Sequence, residues 1–361
     1  MEPQTIMDKR TRLETAFALR VADRPPILGG WLAAPQHICT LTGCSQEEYW
    51  DDPLAWSLAA EQALGSDGLI DVFMPVSRGE YRCVDQRVLD KRAAYTVERM
   101  LAEIEAMPDA AMLRAGFDAE ALYQEMAAEH LERQTACGDM VWCPADWKLI
   151  PKALWYEQFG YETALTALAL YPDRYRKLIE VSAEQGRQRA VVRARMMREG
   201  MLPRALLTGE DLCAQRGPLV SPDYLRREYW HWVEYALEPL LAVGARVVWH
   251  CDGDYRPLLD DVLASGVGGL QGFQRECGME LEWIRNLCTR SGDPLLIFGA
   301  MSVTETLPHG TPEDVRAEVQ RIIDLCRDHV GLAFMTSNTI TPDVPFENLI
   351  AYYRAVQESA W

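Results

Sequence analysis

Around residue 250 the chain reads ARVVWHCDGDYRPLLDDVLASGVGGLQGF. A run of apolar residues ends abruptly in His250, Cys251 and Asp252. An imidazole and a carboxylate so placed can exchange protons with a substrate as an acid/base pair, or hold a divalent metal. A third reading is a polar strand end that meets solvent. In an extended strand residues i and i+2 face the same side. His250 and Asp252 therefore share a face, and Cys251 points the other way as a packed thiol.

Other candidates end similar runs. Glu210 and Asp211 are adjacent acids, so alternation lets only one of them face a site; the other caps a backbone or pairs with Arg216. Asp71 sits within an apolar run, whereas Asp67 reads as a turn residue before it. Gln274 and Glu276 share a face, and Ser302 and Asn338 close two later runs. Trp31, Met74, Trp142 and Phe298, with Phe73, Trp147, Trp155 and Trp249, are candidate walls for a flat or methylated ligand. Eleven tryptophans also supply the material for a cation–π cage around a quaternary amine. Core packing is the competing reading for all of them. His231, between Trp230 and Trp232 on a predicted helix, reads as structural, and His37, His130, His309 and His329 as surface residues.

The elements that must carry these residues recur in a regular order. Short apolar runs occupy 25–33, 67–75, 139–147, 203–212, 245–254, 268–276, 294–302 and 331–338. Amphipathic segments with helical periodicity lie between them. Residues 161–197 break near Pro172, 221–244 open with Ser-Pro, and 311–329 open with Thr-Pro-Glu-Asp, a good N-cap and first turn. Residues 345–359 close the chain as a helix, and the charged amphipathic N-terminus reads as helical too. Residues 90–135 form a long helical stretch, so the expectation is a helical insertion at about 84–138 between strands two and three. Eight strands alternating with helices predict an α/β fold, a (β/α)8 TIM barrel, with 1–361 as one domain. No GxGxxG follows the first strand to favour a doubly wound sheet. In a parallel barrel the strand C-terminal ends form one mouth, and every candidate named above as ending a run falls there.

Composition narrows the partners. The net charge of −18 disfavours nucleic acid and anionic membrane, which call for a basic surface. Ten scattered cysteines without a CxxC pair fit reduced thiols in a cytoplasmic protein better than a disulfide framework. No stretch is long and apolar enough for a membrane span, nor does the N-terminus carry a signal-peptide core.

From about residue 200 onward the chain resembles the uroporphyrinogen decarboxylase superfamily. The resemblance rests on GEDLCAQRGPLVSPDYLRREYW, HCDGDYRPLLDDVLASGVGGLQGF, FGAMSVTETLPHGTPEDVRAEV and SNTITPDVPFENLIAYYRA. It implies the barrel already read, and a homodimer. True decarboxylases of this superfamily carry an Arg-Gln-Ala-Gly-Arg-Tyr stretch after the first strand, and arginine suits a substrate with many carboxylates. Here that place reads GGWLAAPQHIC, with no arginine between Arg24 and Arg78. The other branch holds zinc-dependent methyltransferases serving corrinoid proteins or thiols. Their zinc ligands come from a His-x-Cys at strand five and a Cys at strand eight, in some members with a Glu after strand six. Here strand five ends His250-Cys251-Asp252, strand eight ends Thr336-Ser337-Asn338, and Glu276 falls near the Glu position.

The expectation is thus a methyltransferase-like enzyme acting on a small methylated substrate. Zinc or another divalent metal would be held by His250, Asp252 and Glu276, and the methyl acceptor would be a thiol or a separate corrinoid protein. No Asp-x-His-x-x-Gly corrinoid-binding segment occurs in this chain. Two rivals stay open. One is a metal-free decarboxylase of a porphyrinogen or a smaller acid, using Asp71, His250 or Asn338. The other is a barrel that binds a ligand without catalysis.

Overall fold

The computed structural model describes residues 6–75, 95–328, 331–359 and 361. Eight parallel strands alternate with helices: β1 (Leu28–Gly29), β2 (Gly68–Leu69), β3 (Val141–Trp142), β4 (Ala205–Gly209), β5 (Arg246–His250), β6 (Gly269–Gln271), β7 (Leu296–Phe298) and β8 (Gly331–Ala333). They form two parallel sheets, ordered β1-β2-β3 and β8-β7-β6-β5-β4. At one junction Ile27 bridges Phe334 in parallel, and Leu28 N–H donates to the Phe334 carbonyl at 2.8 Å. At the other, Asp146 N–H donates to the Leu207 carbonyl at 2.9 Å. The arrangement is α/β and TIM-barrel-like. A small antiparallel ladder, Cys213–Ala214 with Gly217–Pro218, follows β4.

Between the sheets lies a layer built by strand alternation. Leu28, Val141, Ala205, Leu207, Val248, Leu296, Phe298, Ala333 and Met335 pack as one apolar cluster. Leu13 and Phe17 enter it from helix Lys9–Phe17, which starts on an Asp8 N-cap. Phe17 meets Phe298 with ring centroids 5.4 Å apart. Each of the buried Leu, Val, Phe and Met side chains contributes about 1.5–3 kcal/mol by leaving water. The same helix is tied down by charge. Arg12 reaches Asp67 at 2.6 Å and Asp23 at 2.7 Å, and Arg24 adds a second cation to Asp67 at 2.8 Å. Asp67, expected as a plain turn residue, is fully buried and also accepts from Ile27 N–H at 2.8 Å.

The helices begin where local chemistry favours a start. Pro312–Cys326 opens with Pro at its first turn and a Thr311–Asp314 capping box. The break expected at Pro172 separates Tyr161–Leu170 from Pro172–Arg198. The stretch read as one long helical segment is three helices, Val97–Ala106, Ala110–Ala115 and Ala119–Cys137. Pro108 and Gly116 interrupt it, and the Asp109 and Asp118 side chains cap the next two starts. The first part of that segment, 84–94, lies outside the described residues. Among the described residues no helix is long and apolar enough to cross a membrane.

Candidate active site

β5 delivers His250 to the C-terminal end of the larger sheet. Its neighbours in the ladder are Gly209 on β4 and Gln271 on β6. Gly209 has no side chain, and a Cβ there would stand 2.0 Å from the His250 carbonyl oxygen, so only glycine lets the two strands lie this close. The imidazole is buried between two indoles. Trp31 meets it edge-on at 5.8 Å between centroids and Trp147 at 5.6 Å. Nδ1 of His250 is hydrogen-bonded to Oε1 of Gln271. Nε2 faces Oδ1 of Asp211 at 3.6 Å and Oδ1 of Asp252 at 3.8 Å.

The two carboxylates are held by their surroundings. Asp211 accepts the main-chain N–H of Asp252 at 2.9 Å. Asp252 accepts from Asn338 Nδ2 at 2.7 Å on Oδ2, while its Oδ1 is buried and has no hydrogen-bond partner among the described residues. Burial pushes the Asp252 carboxyl up to about 6; His250 lowers it, and Asp211 raises it. One atom each from Asp211, His250 and Asp252 lies within 4.8 Å of the others, a spacing that can surround a metal ion.

Asp71 belongs to the same end of the fold. It follows β2 with a left-handed backbone, φ +54°, which is unusual for a residue with a side chain. Burial raises its carboxyl to about 6, and a hydrogen bond from Trp147 opposes the rise. Trp147 thus touches His250 with its ring and Asp71 with its N–H. Beside this group, Phe73 and Met74 are 37% and 40% exposed and form an apolar lip, Phe73 lying edge-on to Trp31 at 5.1 Å.

Several expected site residues go elsewhere. Glu276 is exposed and accepts a hydrogen bond from Thr304 at 2.8 Å; Asp211 takes the third place beside His250 and Asp252. The reason is strand length: β6 ends at Gln271, so Glu276 lies a turn beyond it in a 3-10 segment. Gln274 accepts from Gly253 N–H and braces the turn after β5. Glu210 faces away from Asp211 and is buried against the 151–155 loop. It accepts Ala153 N–H at 2.9 Å, Leu154 N–H at 2.7 Å and the Tyr229 hydroxyl at 3.0 Å.

Alternation also redirects two of the apolar candidates. Trp142 packs outward with Leu58, Leu69 and Met140, while Val141 takes the interior position. Phe298 fills the interior against Phe17 rather than a mouth. Ser302 is buried and accepts from Glu305 N–H at 3.0 Å as the cap of a turn. Cys251 is buried on the helix side of β5, as alternation requires. His37 and His130, expected at the surface, are buried, and His37 Nε2 bonds the Val344 carbonyl at 2.7 Å. His329 lies outside the described residues.

Gln271 is the site residue that the sequence reading passed over. Its signal was present, a polar residue followed by glycine at the tip of an apolar run, but the run was read five residues too long, with Gln274 and Glu276 as its tip.

Residues 217–359 match the family model described as uroporphyrinogen decarboxylase (URO-D). The match covers the C-terminal part of the chain. The matched part of this URO-D-like chain contains His250, Asp252, Gln271 and Asn338; Trp31, Asp71, Trp147 and Asp211 precede it. No curated protein matches the sequence. Among solved structures, a methyltransferase from Methanosarcina mazei is similar over 98% of this chain and 99% of its own length, with a TM-score of 0.63 and 16% sequence identity. At that identity the likeness concerns the fold, and it takes in the N-terminal half that lies outside the family match.

Proposed function

We propose that this URO-D-like chain is a metal-assisted methyltransferase whose centre is Asp211, His250 and Asp252, set in the mouth of one closed (β/α)8 barrel. The observation that carries the reading is His250 Nε2 facing two carboxylate oxygens, one of them buried without a partner among the described residues. An unpaired buried carboxylate oxygen is costly, and a cation is the simplest group to satisfy it. The residues fit a divalent ion: one imidazole nitrogen, two carboxylate oxygens and room for a substrate atom match a catalytic zinc site. The absence of thiolate also suits iron or manganese. Such an ion supplies Lewis-acid stabilisation of charge at the atom that bears or loses the methyl group.

The chain's own residues do the rest. Asn338 holds Asp252 so that Oδ1 faces His250. Trp31 and Trp147 keep the imidazole in place and exclude water from its faces. Phe73 and Met74 offer apolar contact to a small methylated substrate at the lip. Asp71, with its carboxyl near 6, is placed to give or take a proton. The acceptor is a thiol or a separate corrinoid protein reaching the open mouth, and the functional unit is a homodimer.

A second reading rests on the same acids. Burial raises the Asp71 and Asp252 carboxyls to about 6, and Asp252 lies beside His250, a set of groups that serves metal-free proton transfer in a decarboxylation. Metal analysis separates the two. Protein purified without a histidine tag is expected to hold near-stoichiometric metal, lost in Asp211→Ala, His250→Ala and Asp252→Ala. No metal in any of the four proteins, after reconstitution with zinc, iron and manganese, would sink the first reading. So would full methyl transfer by His250→Ala.

A further inference from the structure

Gln271 stands opposite His250 in the β5–β6 ladder and has no exposed surface. Its amide is fully used. Nε2 donates to the Thr336 carbonyl at 2.9 Å and to the Ser337 carbonyl at 3.2 Å, and Oε1 is bonded to His250 Nδ1. Main-chain carbonyls only accept hydrogen bonds, so the edge of the amide facing β8 has to be its NH2 group. That turns the oxygen to His250. An amide oxygen also only accepts, so Nδ1 has to carry the hydrogen. In the neutral ring the lone pair is then left on Nε2, the nitrogen that faces Asp211 and Asp252.

We propose that Gln271 is a positioning residue that selects this tautomer of His250 and so presents an Nε2 lone pair to a metal between Asp211 and Asp252. The tautomer follows from the amide geometry alone; only its use toward a metal rests on the proposed function. Two further features keep the arrangement in place. Gly272, at φ +86°, lets β6 turn close beneath the ring, where a Cβ would stand 2.9 Å from Nδ1. The edges of Trp31 and Trp147 fix the ring plane, so a flip that placed carbon opposite the amide oxygen would lose the bond and gain none. Gln271 thereby couples the end of β8 to the ligand on β5: the Thr336 and Ser337 carbonyls orient the amide, and the amide orients the imidazole. Partners of this kind beyond the ligand are worth roughly 10–100-fold in metal affinity.

The test begins with the metal-free full chain carrying 15N-labelled histidine, at alkaline pH where imidazoles are neutral. Long-range proton–nitrogen spectra report which nitrogen bears hydrogen, and His250→Ala identifies the signal. The expected result is a protonated Nδ1 and a bare Nε2. A proton on Nε2 in the wild-type chain overturns the proposal. Gln271→Met keeps the volume and removes both hydrogen-bonding ends. It is expected to show mixed tautomers and to bind cobalt(II) about 10–100-fold more weakly in a competition titration. Wild-type tautomer and wild-type cobalt affinity in that variant overturn the proposal as well. Should the variant not fold, the wild-type spectrum still decides the tautomer. Should the wild type bind neither cobalt nor zinc, the metal reading falls, and the spectra still decide what Gln271 does to His250.

Discussion

Asn338 and Asp252 lie 86 residues apart in sequence, yet Asn338 Nδ2 donates to Asp252 Oδ2 at 2.7 Å. The contact joins the segment after β8 to the segment after β5. It satisfies one oxygen of Asp252 and leaves the other facing His250. Replacing Asn338 by Leu frees the carboxylate to turn. The expected outcome is a 10–100-fold loss of zinc or cobalt affinity with an unchanged far-ultraviolet circular dichroism spectrum. A competition titration against a chelating dye checks it, and affinity within threefold of wild type would count against the role given to Asn338.

Trp147 links His250 to Asp71. Trp147→Phe keeps an aromatic edge beside the imidazole but removes the N–H that bonds Asp71. That hydrogen bond favours the charged carboxylate, against burial, which holds the group at about 6. Its loss leaves burial less opposed, so the midpoint of Asp71 moves up from about 6. Carbon-detected NMR titration of the Asp71 carboxyl reads this directly. If ionised Asp71 accepts a proton in the reaction, the acid limb of the pH–rate profile moves up with it. A midpoint that stays or falls contradicts the assignment.

Glu210 bears on stability rather than chemistry. Burial raises its carboxyl from 4.5 to about 7. A group raised in the folded state contributes stability that is present below its unfolded value and lost as pH rises through the folded one. From this residue the wild type is therefore expected to lose on the order of 3 kcal/mol between about pH 4.5 and pH 7. In Glu210→Gln that slope disappears, and the amide NH2 meets a main-chain N–H of the 151–155 loop, at a cost of about 1–3 kcal/mol. Urea unfolding of both proteins across this range tests both statements. Parallel pH profiles would show that Glu210 does not titrate in the window.

How far these features could be read in advance depends on the distance over which each is set. The alternating order of strands and helices was legible, because hydrophobic period and helix caps are local. The Thr311 start, the Pro172 break and the outward turn of Cys251 are of this kind. The orientation of Glu210 relative to Asp211 was legible only as an either/or choice. Alternation says that adjacent residues part, and the 151–155 loop decides which of them is buried.

The ends of the strands were not legible to within a few residues, and that displaced the candidates on β6. An apolar run continues past its last ladder bond, so GGLQGFQRE alone does not mark Gln271 as the tip. The same limit applied to Trp142 and Phe298: a large apolar side chain near a strand end looks alike whether it faces a mouth, a helix or the interior. Within one segment the residue order already says which side chains share a face, because the pleat repeats every two residues. Which faces meet is settled by the packing of distant segments. His250 with Gln271, Asp252 with Asp211 and Asn338, and Trp147 with both His250 and Asp71 are lateral pairings between segments, set by strand register and loop packing, which no single stretch of sequence contains.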